Sequence, residues 1–289
     1  MNRVALGTVL ALGLSTSVAR AQEPEPPSHI HELAFDLRAD LPITLIGASA
    51  WITSEILKGY LAPASCRWCD RADDGTDTLN ALDAALRGPL GSRSAQRAAN
   101  MASNVTGFGL GPALAFGLDA VAVAVEHGSA EDWAVDALVI AESAMVAADL
   151  NQLVKFAVGR ERPFVHVLGA DDKDDTEQPS DNNLSFFSGH TTLGFSLAVS
   201  SGMVASLRGY RMAPVIWASG VSAAAITGWL RIAADKHYFT DVLTGMLVGS
   251  GIGVLVPYLH RPSAAAAEVS GVYASAARAG GTFGFKGSF

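Results

Sequence analysis

Apolar residues gather along this chain into six long stretches, near 41–57, 105–125, 133–158, 189–207, 213–232 and 240–259, separated by polar segments. The stretches are rich in Ala, Leu, Val and Gly, exceed ordinary strand length and show no period-two alternation, so each is read as a helix. The pattern predicts an all-α fold, a helical bundle of about six apolar helices. Between the first two stretches, residues 63–104 are polar, and within them TLNALDAALRG predicts a short amphipathic helix ended by Gly88-Pro89. A second polar segment, GADDKDDTEQPSDNN over 169–183, reads as a solvated loop. It lacks the glycine and closing glutamate of a calcium loop.

The two ends of the chain follow other rules. Residues 1–21 carry a basic residue at Arg3, a short apolar run and the small-residue site Ala19-Arg20-Ala21, which is the grammar of a secretory signal peptide. Residues 22–40, opening with the proline-rich and acidic QEPEPPSH, are expected to be a disordered lead-in. A helical domain is expected over 41–260, followed by a loose Ala- and Gly-rich tail over 261–289.

Composition narrows the class. Hydrophobic residues make up 49% of the chain and charged ones 17%, below the roughly 25% usual in soluble proteins, which implies a membrane protein or a large apolar core. The net charge of −8 becomes −10 once a leader bearing Arg3 and Arg20 is removed, which argues against a nucleic-acid partner. Cys66 and Cys69, in SCRWCD, have no second cysteine pair or nearby histidines to make a zinc site. In an exported chain they are expected to form a small structural disulfide.

Three polar clusters sit at the ends of apolar stretches. In KFAVGRERPF, Lys155 and Arg162 are seven residues apart, and Gly159 and Pro163 close the helix behind them. In FFSGHTT, Ser188, Gly189 and His190 open a helix, where free backbone N–H groups favour an anion. In RIAADKHYFTD, His237 and Asp241 are four apart, so the carboxylate can accept from one imidazole nitrogen while the other faces a ligand, and Arg231 lies a turn away. Taken singly, each cluster has a plain structural explanation: cations at a helix C-terminus, a capping serine, a surface ion pair.

Their order changes the picture. K-x6-R-P, then S-G-H, then R-x5-H-x3-D resembles the three-part signature of the type-2 phosphatidic acid phosphatase superfamily, which includes vanadium haloperoxidases and bacterial class A acid phosphatases. The resemblance implies a metal-independent phosphatase with its active site at one end of the bundle. By this reading His237, oriented by Asp241, would attack phosphorus and form a phosphohistidine, and His190 would protonate the leaving oxygen and then activate water. Lys155, Arg162 and Arg231, with Ser188 and the Gly189 N–H, would hold the phosphoryl oxygens. Two positions depart from the pattern: Phe187 stands where the family usually has proline, and Leu230 where it has serine. No cofactor is expected. Vanadate could occupy the same cradle in a haloperoxidase, and a non-catalytic anion-binding membrane protein is the alternative from another class.

Location divides the substrates. The uncharged run 213–230 is long enough to span a bilayer, but Asp119, Asp136, Glu142 and Asp149 interrupt the other stretches. The arginines at 67, 71, 87, 93 and 97 favour a cytoplasmic side for that segment, against the expected disulfide. The reading adopted is a membrane-associated enzyme of the cell envelope with its site outside the cytoplasm. Its partners would be phosphorylated lipids, such as phosphatidic acid-like esters or an isoprenyl diphosphate; a soluble protein would suit small phosphate esters.

Overall fold

The computed structural model of the chain describes residues 30–169 and 172–262. The leader over 1–21, the start of the lead-in and the tail beyond 262 lie outside the described residues. Within them the chain is helical and contains no strand. The long helices are α1 (Leu37–Ile56), α4 (Arg93–Val105), α5 (Gly111–Val125), α6 (Ala130–Val158), α8 (Gly189–Arg208), α9 (Ala213–Ala233) and α10 (Phe239–Leu259). Short helices α2 (Lys58–Leu61), α3 (Ala81–Leu86) and α7 (Pro163–His166) lie in the polar connections.

Local chemistry sets the helix ends. Ser129 caps α6 by accepting from the Asp132 N–H, while the Asp132 carboxylate accepts from the Ser129 N–H. The same helix ends at Gly159, whose φ of 60° is the left-handed turn that glycine adopts freely. The predicted amphipathic helix forms as α3, with the Asn80 side chain accepting from the N–H groups of Leu82 and Asp83.

Helix α8 runs through the middle of the bundle, packed by α5, α6, α9 and α10, and is buried along most of its length. Leu193, Leu197 and Val204 of α8 join Val139 and Ile140 of α6 and Ile252 and Val256 of α10 in the main core cluster. Close approach of α8 and α10 depends on Gly245, Gly249 and Gly253, spaced four residues apart. A Cβ at Gly249 would lie 2.3 Å from the Thr192 carbonyl oxygen.

One sequence expectation is corrected here. The lead-in assigned to 22–40 is ordered over its described part: the His31 N–H donates to the Arg208 carbonyl at 3.0 Å, the Ala34 N–H donates to the His260 carbonyl at 2.8 Å, and Leu33 is buried in the core. Helix α1 then begins at Leu37, capped by the Asp36 carboxylate. A single buried leucine and two backbone hydrogen bonds to distant helix ends tie the segment down, and neither shows in local composition.

Candidate active site

Four helix ends meet at one end of the bundle. Lys155 comes from the last turn of α6, Arg162 from the loop that follows, His190 from the first turn of α8, Arg231 from the last turn of α9, and His237 from the turn before α10. All five line a single cavity of roughly 430 Å³, together with Gly189, Asp181 and Lys236. Residues far apart in the chain are thus brought to one small volume.

His237 is fully enclosed at its Nδ1 side. That nitrogen donates to the Ser185 carbonyl at 2.8 Å, which leaves Nε2 as the unprotonated nitrogen of the neutral ring. Nε2 lies 3.3 Å from Arg162 Nη1. Asp241, expected to be the direct acceptor, is 3.7 Å from Nδ1 and is committed elsewhere. Its Oδ2 accepts from Ser185 Oγ at 2.6 Å and from the Tyr238 N–H at 3.0 Å, and its Oδ1 accepts from Arg160 at 2.7 Å. The carboxylate therefore holds Ser185 and Tyr238, and Ser185 holds the imidazole. Burial, and then the positive charges of Arg162, Arg231 and Lys155, push the His237 pKa well below the ordinary imidazole value, so the ring stays neutral.

The cations are unequally engaged. Arg162 donates from Nε to the Asp181 carbonyl at 2.7 Å and pairs through Nη2 with the Asp181 carboxylate at 2.7 Å. Arg231 donates through Nη1 to Asn100 at 2.7 Å and Ser103 at 3.0 Å, leaving a buried Nε with no hydrogen-bond partner among the described residues. Lys155 stands beside Gly189, where a Cβ would come within 3.2 Å of its Nζ and 2.8 Å of Asn151 Oδ1. Glycine at 189 thus leaves its backbone open to a ligand. Burial, followed by Arg162, pushes Lys155 down to about 7; burial, followed by Arg162 and Arg231, pushes Lys236 down to about 8. Burial raises the Asp181 pKa, but Arg162, Lys155 and Lys58 outweigh it and hold that carboxyl well below the usual range.

His190 is held from the opposite wall. Its Nε2 is 2.8 Å from Asn104 Oδ1 on α4, and its ring meets Phe108 edge to face at 4.6 Å between centroids. Phe108 belongs to a π-helical turn, Thr106–Leu110, that joins α4 to α5. The wider turn carries Gly107 close to the imidazole, where a Cβ would lie 3.2 Å from its Cδ2. Burial and then the charges of Arg231, Lys155 and Arg162 hold the His190 pKa well below its ordinary value.

Ser188 does not reach the cavity. Its hydroxyl is buried and bonded to Thr191 Oγ1 at 2.9 Å, and its N–H donates to the Asp241 carbonyl at 3.1 Å, so it braces α8 against α10. The two departures from the motif also find places away from the cavity wall. Phe187 is buried and its carbonyl accepts from Asn151 at 2.7 Å, and Leu230 packs on Ala99 of α4.

Several supporting residues have no place in the three motifs. Arg160, inside KFAVGRERPF, pairs with Asp70, Asp83 and Asp241. Asn100 and Asn104 lie four apart on α4, a spacing visible in NMASN, but nothing local says that this face turns toward Arg231 and His190. Cys66 and Cys69 are joined by a disulfide, and the loop it closes puts the Arg67 N–H on the Gly159 carbonyl at 3.0 Å.

Residues 136–264 match the family model described as the PAP2 superfamily, a segment that contains all three motifs, and this match points to phosphatase chemistry on phosphate esters. No solved structure matches the chain.

Proposed function

From the match of residues 136–264 to the PAP2 superfamily, we propose that the protein hydrolyses phosphate monoesters, with lipid phosphates as its substrates, by way of a phosphohistidine on His237. The observation that carries this reading is that both imidazoles and three cations line one cavity. In the first step the His237 Nε2 lone pair attacks phosphorus, the P–O bond to the alcohol breaks, and the imidazolium of His190 gives its proton to the leaving oxygen. In the second step neutral His190 takes a proton from water, the resulting hydroxide attacks phosphorus, and the P–N bond breaks to release phosphate. Lys155, Arg162, Arg231 and the Gly189 N–H hold the phosphoryl oxygens through both steps, where negative charge is greatest.

Asp181 fits this scheme as a carboxylate that occupies Arg162 until substrate arrives. A phosphoryl group entering the cavity competes with it for the same guanidinium. Trp51, Phe108 and Leu193 give the cavity an apolar side suited to an acyl or prenyl substituent.

Rapid acid-free quenching of the purified protein with ³²P-labelled phosphatidic acid tests the proposal. Label should appear on the protein in an acid-labile, alkali-stable linkage, and His237→Ala should abolish both label and turnover. Full turnover by His237→Ala, or hydrolysis with no labelled protein in single-turnover conditions, overturns the covalent route.

A further inference from the structure

Far from the phosphate cavity, Asp40 of α1, Glu142 of α6 and His260, just past α10, converge in the interior. All three are buried, and one ligand-type atom from each lies within 4.8 Å of the other two. Glu142 precedes Lys155 by thirteen residues on the same helix, about 20 Å of axial rise, so the two clusters are separate.

The polarity of this group is unusual. His260 Nδ1 donates to the Val256 carbonyl at 2.9 Å, which directs Nε2 toward the carboxylates. Nε2 is 3.5 Å from Asp40 Oδ2 and 3.6 Å from Glu142 Oε2. Glu142 is 8% exposed, and its Oε2 is buried with no hydrogen-bond partner among the described residues. No lysine or arginine among them forms a salt bridge with Asp40 or Glu142. Three ligand-type atoms therefore face one another with no lysine or arginine among the described residues paired to them, and Asp40 Oδ2 also accepts from the Asp36 N–H at 2.7 Å.

We propose that Asp40, Glu142 and His260 form a binding site for a divalent transition-metal ion, with zinc the best fit. Two carboxylate oxygens and one imidazole nitrogen are a donor set that zinc accepts, at roughly 2.0–2.2 Å to each atom. The edge of a tetrahedron with such bonds is about 3.4 Å, close to both measured nitrogen–oxygen separations, which are long for hydrogen bonds. The Nδ1–H donated to a backbone carbonyl is the support that a metal-bound imidazole ordinarily has. An ion here would pin the start of α1 to the middle of α6 and the end of α10, a structural tie independent of phosphate chemistry.

The test uses the full chain, stripped with a chelator and titrated with zinc alone by calorimetry, with metal content counted after dialysis. One zinc per chain is expected, with a rise in melting temperature. Affinity should fall at least tenfold in His260→Ala and in the near-isosteric Glu142→Gln, and His237→Ala should retain it, which separates this site from the phosphate cavity. The Co²⁺ form should show visible ligand-field bands that Glu142→Gln alters. Absence of zinc binding by the wild-type chain, or equal binding by Glu142→Gln, overturns the proposal.

Discussion

Arg160 has no exposed surface, and its guanidinium lies between the rings of Trp68 and Tyr238, at 4.2 and 4.1 Å from their centroids. Its nitrogens meet Asp70, Asp83 and Asp241 at 2.9, 2.8 and 2.7 Å, so one cation joins the disulfide loop, α3 and α10 beneath His237. Removing it would leave three buried carboxylates uncompensated. Arg160→Met should cost about 3–5 kcal/mol in a chemical denaturation followed by circular dichroism, and Arg160→Lys should recover little because the planar fork is lost. The histidines make a second prediction. In the proposed mechanism the free protein needs His190 protonated and His237 neutral, and both pKa values are depressed by burial and neighbouring cations. Since lowering His190 leaves it mostly unprotonated at neutral pH, kcat/KM should rise as pH falls from about 8 to about 6. Its alkaline limb should move to higher pH in Arg231→Gln, which removes the largest of the charges acting on His190. A pH-independent profile would contradict His190 as the proposed proton donor. At this scale the motif residues were legible from their order, but the partner of His237 was not. Asp241 is at helical spacing, yet Ser185 sits closer because the segment before α8 packs against the imidazole.

Helix contacts set the geometry that the motifs need. The Gly245, Gly249 and Gly253 face lets α10 lie against the backbone of α8 near Ser188, Thr192 and Ser196, and so fixes His190 relative to His237. Gly249→Ala should push the two helices apart, destabilise by about 1–3 kcal/mol and lower turnover, because the neighbour it meets is a main-chain carbonyl that cannot rotate away. Gly251→Ala on the same helix meets nothing within 4 Å and should leave both properties near wild type, as a thermal melt and an activity assay would show. Most long helices were readable from apolar runs and closing residues such as Gly159; α4 was not, because Arg93–Val105 lies almost wholly in the segment read as polar. The π-helical turn at Thr106–Leu110 was not, because its extra width appears only where Phe108 and Gly107 meet His190 from another part of the chain.

Over the whole molecule, the outer helices expose large apolar side chains, among them Ile46 and Ile56 of α1, Leu153 of α6, Ile226 of α9 and Leu247 of α10. Among the described residues, three helical segments, Arg93–Val125, Ala213–Ala233 and Phe239–Leu259, are long and apolar enough to cross a membrane. Activity should therefore sediment with membranes, resist a high-salt wash and be released by detergent; release by salt alone would favour a peripheral protein. One acid inside the long helices, Asp136, is accommodated within the bundle by Arg208 at 2.6 Å and Tyr210 at 2.5 Å. By itself the sequence determined the helical class and several helix ends, because these follow from local periodicity and capping; the candidate phosphate-binding set came from the order of three motifs that resembles a known family, and Ser188 of that set lies off the cavity. Which atoms meet was decided only by the tertiary structure: Ser185 behind His237, Asp181 on Arg162, Asn104 on His190 and Asp40 beside His260. Those contacts join segments remote along the chain, and their distances depend on how closely whole helices can pack.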